Sequence, residues 1–226
     1  MKIVLLLLSL MSTALAHAQS IQPPALSARS WLLIDHASGQ SLVEHEADAR
    51  VEPASLTKLM TAYLTFAALK QGTLKLDQAV TVSERAWKAP GSRMFIDPKH
   101  PVTVGELIQG MIIQSGNDAC IALAEAIAGS EEAFAQRMNL EARRLGLANT
   151  HYVNATGLPD PQHYSTARDL ARLAQAVIRD FPEYYANYSR KEYTYNRITQ
   201  PNRNRLLWLD TTVDGVKTGF TENAGY

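Results

Sequence analysis

A single cysteine, Cys120, occurs in the 226-residue chain, so no intramolecular disulfide can form and cohesion must come from a packed core. Charge of one sign is also lacking: 22 Lys and Arg balance 22 Asp and Glu, and no basic run appears. That argues against a nucleic-acid partner, because neutralising phosphates needs a cationic footprint. The six histidines, among them His36, His45, His100, His151 and His163, form no H-E-x-x-H or similar ligand spacing. Zinc hydrolysis has no support, and no metal or organic cofactor is implied. Repeats and low-complexity tracts are absent. The apolar run Ile3 to Leu8 is too short to span a bilayer comfortably. Preceded by Lys2 and followed by Ala16-His17-Ala18, it reads as a secretory signal peptide over 1–18, cut after Ala18. The mature chain is therefore expected to be exported and to begin near Gln19.

What remains is enough for one substantial core, with room for a subdomain. Residues 19–30 are polar and proline-bearing, an extended lead-in. Trp31 to Asp35, a turn at Ser38-Gly39, and Ser41 to Glu46 predict a β-hairpin whose first strand is buried on both faces. From Pro53 the period changes. Leu56, Leu59, Met60, Tyr63, Leu64 and Ala67 give an amphipathic helix closed by Gly72, with Ser55 in its first turn. Thr103 and Glu106 form a capping box for a helix through Ile113. Ser115-Gly116-Asn117 is a corner, and a further helix runs from Asp118 to Ala128. More helices are expected over 130–146 and 166–179, then a tyrosine-rich, less regular stretch, and a strand over 213–219. Strands, a helical block and a late strand suggest a sheet with an inserted helical lobe.

Ser55 and Lys58 fit two accounts. The bland one is a helix N-cap followed by a surface lysine. The chemical one is that residues at i and i+3 share a helix face, so the amine can reach the hydroxyl. A helix N-terminus also favours the oxyanion formed when a serine attacks a carbonyl. Lys58 could act as a base only if burial or a nearby cation lowers its pKa. Two other stretches could complete such a site. Ser115-Gly116-Asn117 places a hydroxyl and an amide on a helix corner, otherwise a capping turn. Lys217-Thr218-Gly219 places a cation, a hydroxyl and a glycine at a strand end, otherwise a tight turn.

Together and in this order, S-x-x-K, S-x-N and K-T-G resemble the active-site set of penicillin-recognising serine enzymes. Gly91-Ser92-Arg93-Met94-Phe95, Asn154 to Leu158, and Asn202-Arg203-Asn204 with Leu206-Leu207-Trp208 look like the low-molecular-mass penicillin-binding proteins that are D-alanyl-D-alanine carboxypeptidases. The resemblance covers about Trp31 to Tyr226. It implies an α/β (α+β) β-lactamase-like fold, with an antiparallel sheet lobe and an all-helical lobe at roughly 75–165. Family members remove the terminal D-alanine of peptidoglycan stem pentapeptides through an acyl-enzyme, and β-lactam antibiotics acylate them. By position, Ser55 would be the nucleophile and Lys58 its base. Ser115 would relay a proton to the leaving amine, and Asn117 would orient Lys58 and the substrate amide. Lys217 would supply a second cation and, with Thr218, hold the substrate carboxylate, while Gly219 permits close approach. The N–H groups of Ser55 and Phe220 would form the oxyanion hole. The implied location is the periplasm.

No E-x-x-L-N string occurs between Gly116 and Lys217; Glu141 and Glu183 lack it, so long-lived penicillin acylation is expected rather than fast hydrolysis. An endopeptidase acting on crosslinks would use the same machinery. A non-catalytic wall-binding or penicillin-sensing protein is the rival from another class. Relatives continue past the position of Tyr226 with further strands, a closing helix and a C-terminal amphipathic membrane helix. The sequence has none of these, so the strand carrying Lys217 is expected to expose a sheet edge, and membrane association would need a segment that is not present.

Overall fold

A computed structural model describes residues 25–225. The expected signal peptide over 1–18 and the first part of the lead-in lie outside the described residues. β1 (Trp31–Ile34) and β2 (Ser41–His45) pair antiparallel, Trp31 opposite His45, with a bulge between Leu33 and Ile34. The hairpin is as the turn signal predicts, but β1 is not buried on both faces: Leu33 is 54% exposed and its neighbours are only half-buried. Consecutive side chains point to opposite faces of a strand, and only one face of β1 meets the body, against the helix over 167–180.

A 3₁₀ turn (Ala54–Thr57) leads directly into α1 (Lys58–Lys70). The spacing of Leu56, Leu59, Tyr63 and Ala67 suggests one apolar stripe, yet α1 is buried around most of its circumference. It is the central helix, as expected of a helix apolar on every side. Its inward hydroxyls are satisfied locally: Thr61 Oγ1 donates to the Ala155 carbonyl (2.7 Å) and Thr65 Oγ1 to that of Thr61 (2.7 Å).

Around α1 lie β3 (Ala79–Val80), α2 (Glu84–Trp87), β4 (Val102–Thr103), α3 (Val104–Gln109), α4 (Asn117–Ala128), α5 (Glu131–Arg144) and α6 (Ala167–Asp180). Their starts follow side-chain chemistry. Ser83, Ser130 and Thr166 each accept from the backbone N–H three residues on, and Thr103 with Glu106 closes a complete capping box. The helix expected to run through Ile113 changes at Gly110 into a π turn (Gly110–Gln114). Gly110 fits against Met94, where a Cβ would overlap the thioether, and its carbonyl accepts from Gly116 N–H (3.0 Å). The widened turn brings the chain to Ser115 in a left-handed conformation, φ 67°.

Beyond α6 come α7 (Pro182–Tyr185), a 3₁₀ turn (Ala186–Ser189), the antiparallel hairpin β5 (Glu192–Tyr195) and β6 (Ile198–Pro201), and α8 (Leu206–Leu209). Asn196 and Arg197 turn this hairpin with positive φ, 47° and 64°. The strand expected over 213–219 is not formed: the segment has no regular secondary structure and joins no ladder among the described residues. A β-strand needs a hydrogen-bonded neighbour. Asn204 Nδ2 donates to the Gly215 carbonyl (2.8 Å), and Tyr185 Oη donates to Asp214 (2.8 Å). β1–β2, β3–β4 and β5–β6 are each two-stranded antiparallel sheets. One continuous core joins α1, α3, α4, α5 and α6.

Candidate active site

Ser55 lies in the tight turn before α1 and opens into a cleft of about 710 Å³. The turn is unusual at Ala54, a non-glycine residue at φ 46°. It is pressed from behind by Gly157, φ 83°, where a Cβ would run into the Ala54 carbonyl and sit 2.8 Å from Thr57 Oγ1. Glycine at 157 lets the backbone of 154–158 lie directly against the serine turn.

Lys58 Nζ is 3.0 Å from Ser55 Oγ and donates to the Thr156 carbonyl at 2.6 Å. The spacing of three residues puts amine and hydroxyl on one side of the turn, as expected from sequence. The surface-lysine account fails, because Lys58 is only 1% exposed. Burial pulls its pKa below the ordinary lysine value. The Arg203 guanidinium acts in the same direction, against Cys120 and Asp118. Cys120 is fully buried, and its thiol is pushed up to about 12 by that burial. Lys217, half-buried, is held well below its usual value, first by desolvation and then by the Lys58 ammonium. Its Nζ donates to the Thr218 carbonyl (2.9 Å).

Ser115 and Asn117 reach the cleft from the π turn and the first turn of α4. Ser115 Oγ is buried with no hydrogen-bond partner among the described residues. The Asn117 side-chain N–H donates to the Pro90 carbonyl (2.7 Å) and its backbone N–H to that of Ser92 (2.7 Å), while Lys58 donates to the Thr156 carbonyl. Thr218, Gly219 and Phe220 also line the cleft. Gly219 passes close to the serine turn: a Cβ there would meet the Pro53 carbonyl at 3.2 Å. All eight residues singled out in the sequence therefore converge, six lining the cleft and two ammonium groups beside it.

Three further participants are not among the eight residues singled out in the sequence. The Thr156 carbonyl is main chain, invisible to residue type. Arg203 reaches across to Gln114 O (3.1 Å) and Ser92 Oγ (2.8 Å). Asp118 sits fully buried behind the wall and accepts from Met94, Phe95 and Ile96 N–H.

The family model described as D-alanyl-D-alanine carboxypeptidase, peptidase S11, matches residues 17–226. The chain belongs to this family. It is 51% identical over 221 residues to D-alanyl-D-alanine carboxypeptidase DacC of Escherichia coli K12, a match covering 95% of this chain and 55% of that protein. Penicillin binding protein 5 from Haemophilus influenzae superposes with a TM-score of 0.88 at 46% identity, over 91% of this chain and 61% of that one. The S11 chain thus spans little more than half the length of such relatives. Penicillin-Binding Protein D2 from Listeria monocytogenes, solved in ampicillin- and cefotaxime-bound forms, superposes with a TM-score of 0.82 at 32% identity over 91% of this chain and 84% of that one. The fold is that of the penicillin-recognising serine peptidases, helices combined with small antiparallel sheets.

Proposed function

We propose that this S11 chain carries the catalytic machinery of a serine D-alanyl-D-alanine carboxypeptidase acting on peptidoglycan stem peptides in the periplasm. The observation that carries the proposal is the 3.0 Å separation of Ser55 Oγ from a lysine that is almost wholly buried. A buried amine gives up its proton more readily, and as a neutral amine Lys58 accepts the hydroxyl proton of Ser55.

Ser55 Oγ then bonds to the carbonyl carbon of the penultimate D-alanine. The oxyanion is received by the N–H groups of Ser55 and Phe220. The C–N bond breaks, the amine takes a proton relayed by Ser115, and D-alanine leaves. Water attacks the resulting ester and returns Ser55 to its free form. Ser115, with its buried and unpartnered hydroxyl, is suited to a relay that engages only when substrate is present. Lys217 and Thr218 hold the terminal carboxylate, and Asn117 lines the cleft beside the substrate amide. A β-lactam acylates the same serine by opening its own ring amide, consistent with the antibiotic-bound Listeria relative.

The test is labelling of the purified chain with a fluorescent penicillin, mapped by mass spectrometry, followed by assay of D-alanine release from a pentapeptide. An adduct on Ser55 that is absent from Ser55→Ala, together with D-alanine release, supports the reading. A folded chain that takes no label removes it.

A further inference from the structure

Among the described residues, those lining the cleft include two arginines, Arg203 and Arg205, and no Asp or Glu. In a chain whose acidic and basic residues are equal in number, this is a local concentration of positive charge. The two arginines are not equivalent. Arg203 is committed by its bonds to Gln114 O and Ser92 Oγ, and its charge is felt at both Lys58 and Lys217. Arg205 lines the same cleft, is exposed, and makes no hydrogen bond or ion pair through its side chain to any described residue.

Its backbone is nevertheless fixed. Asn204 ties the segment to Gly215 O and Leu206 N–H, and the Arg205 carbonyl accepts from Trp208 N–H (3.1 Å). The result is a guanidinium with no partner among the described residues, on a firmly held segment that lines a cleft to which no described Asp or Glu contributes. Such a group complements an anionic ligand and steers its approach.

The proposed reaction, on which this step rests, says where that anion must be. The leaving group is one D-alanine, which has a methyl side chain and a single carboxylate, already placed at Lys217 and Thr218. Any second carboxylate of the substrate belongs to the acyl portion. We infer that Arg205 binds a side-chain carboxylate on the acyl side of the scissile bond, making the cleft selective for doubly anionic peptides.

The experiment uses two N-acetylated peptides ending in D-Ala-D-Ala. They are identical except that the residue before this pair carries a free side-chain carboxylate in one and the carboxamide in the other. Binding to the Ser55→Ala chain is measured by calorimetry at low and at physiological salt, with and without Arg205→Gln. The acid peptide is expected to bind about fivefold more tightly than the amide, the size of one solvent-accessible ion pair. The preference should shrink with salt and disappear in Ser55→Ala/Arg205→Gln. A preference that survives Arg205→Gln, or no preference in the parent, overturns the assignment. Failure of the unmutated chain to release D-alanine from either peptide counts separately, against the proposed reaction.

Discussion

Thr57 Oγ1 and His163 Nε2 lie 2.8 Å apart in the interior, joining residues 106 positions apart immediately behind the serine turn. The Val153 N–H donates to His163 Nδ1 (3.3 Å), so in the neutral ring Nε2 carries the hydrogen and donates it to Thr57. One imidazole thus connects the turn that holds Ser55 to the 153–156 segment whose carbonyl receives Lys58.

That arrangement makes stability depend on pH. Burial lowers the His163 pKa from 6.5 to about 4; Asp160 opposes this, while His151 and Lys58 reinforce it. Between these values the unfolded chain binds a proton that the folded one refuses. The contribution is complete above about pH 6.5 and declines as pH falls towards 4, by roughly 3 kcal/mol in all. His163→Gln keeps a donor near Nε2 but does not titrate. Urea unfolding from pH 7 to 4.5 should therefore show wild type losing stability faster than the variant. Parallel pH slopes would mean that His163 is not a neutral buried group.

Two glycines with nearly the same backbone separate conformational cost from crowding. Gly129 at φ 81° has no atom within 4 Å of where a Cβ would stand, whereas Gly157 at φ 83° faces the Ala54 carbonyl and Thr57. Gly129→Ala should cost about 1–2 kcal/mol, as a left-handed alanine does, and leave penicillin acylation unchanged. Gly157→Ala must displace the serine turn as well, so acylation should fall at least about a hundredfold, as misplacement of a nucleophile by about 1 Å does. Equal acylation by the two folded variants would show that the contact at Gly157 does not position Ser55.

Local chemistry explains which features are legible in the sequence. Caps at Thr103, Ser130 and Thr166 act within three residues, and so does the Ser55–Lys58 pair. Features that depend on distant partners are not legible. The periodicity of α1 marks one apolar face, but Thr61 and Thr65 are buried too because Ala155 O and Thr61 O accept their hydrogens. The pattern of Val213 to Gly219 suggests a strand, yet strand formation needs a neighbour that no local pattern supplies. The resemblance implies Asn117 as the residue that orients Lys58, and no residue-type motif points to the main-chain carbonyl of Thr156 that accepts from Lys58.

Asp118 is a further structural device behind the cleft. Its carboxylate accepts from Met94 (3.0 Å), Phe95 (2.8 Å), Ile96 (3.3 Å) and Ala119 (2.9 Å) N–H, holding Phe95 at φ 69°. Burial raises its pKa while these four donors oppose the rise. Asp118→Ala would leave several buried N–H groups unmet and should cost about 3–5 kcal/mol, with Asp118→Asn costing less because its carbonyl still accepts. Denaturant unfolding tests the order of the two. A cost below about 1 kcal/mol for the alanine variant would show that the 94–96 loop does not depend on Asp118.

The acylation rate at saturating penicillin should rise with pH along a limb set by Lys58, because only the neutral amine can take the proton of Ser55. Burial lowers the Lys58 pKa, so the midpoint should fall below the 10.5 of an ordinary lysine. Arg203 contributes to that lowering through its positive charge. Arg203→Gln removes the charge, stabilises the Lys58 ammonium, and should move the limb to higher pH. Lys58→Arg, which cannot deprotonate, should reduce acylation by about a hundred- to ten-thousandfold at every pH. A limb that stays in place in Arg203→Gln would separate Arg203 from the ionisation of Lys58. A limb that persists in Lys58→Arg would assign the titration to another group and remove Lys58 as the base.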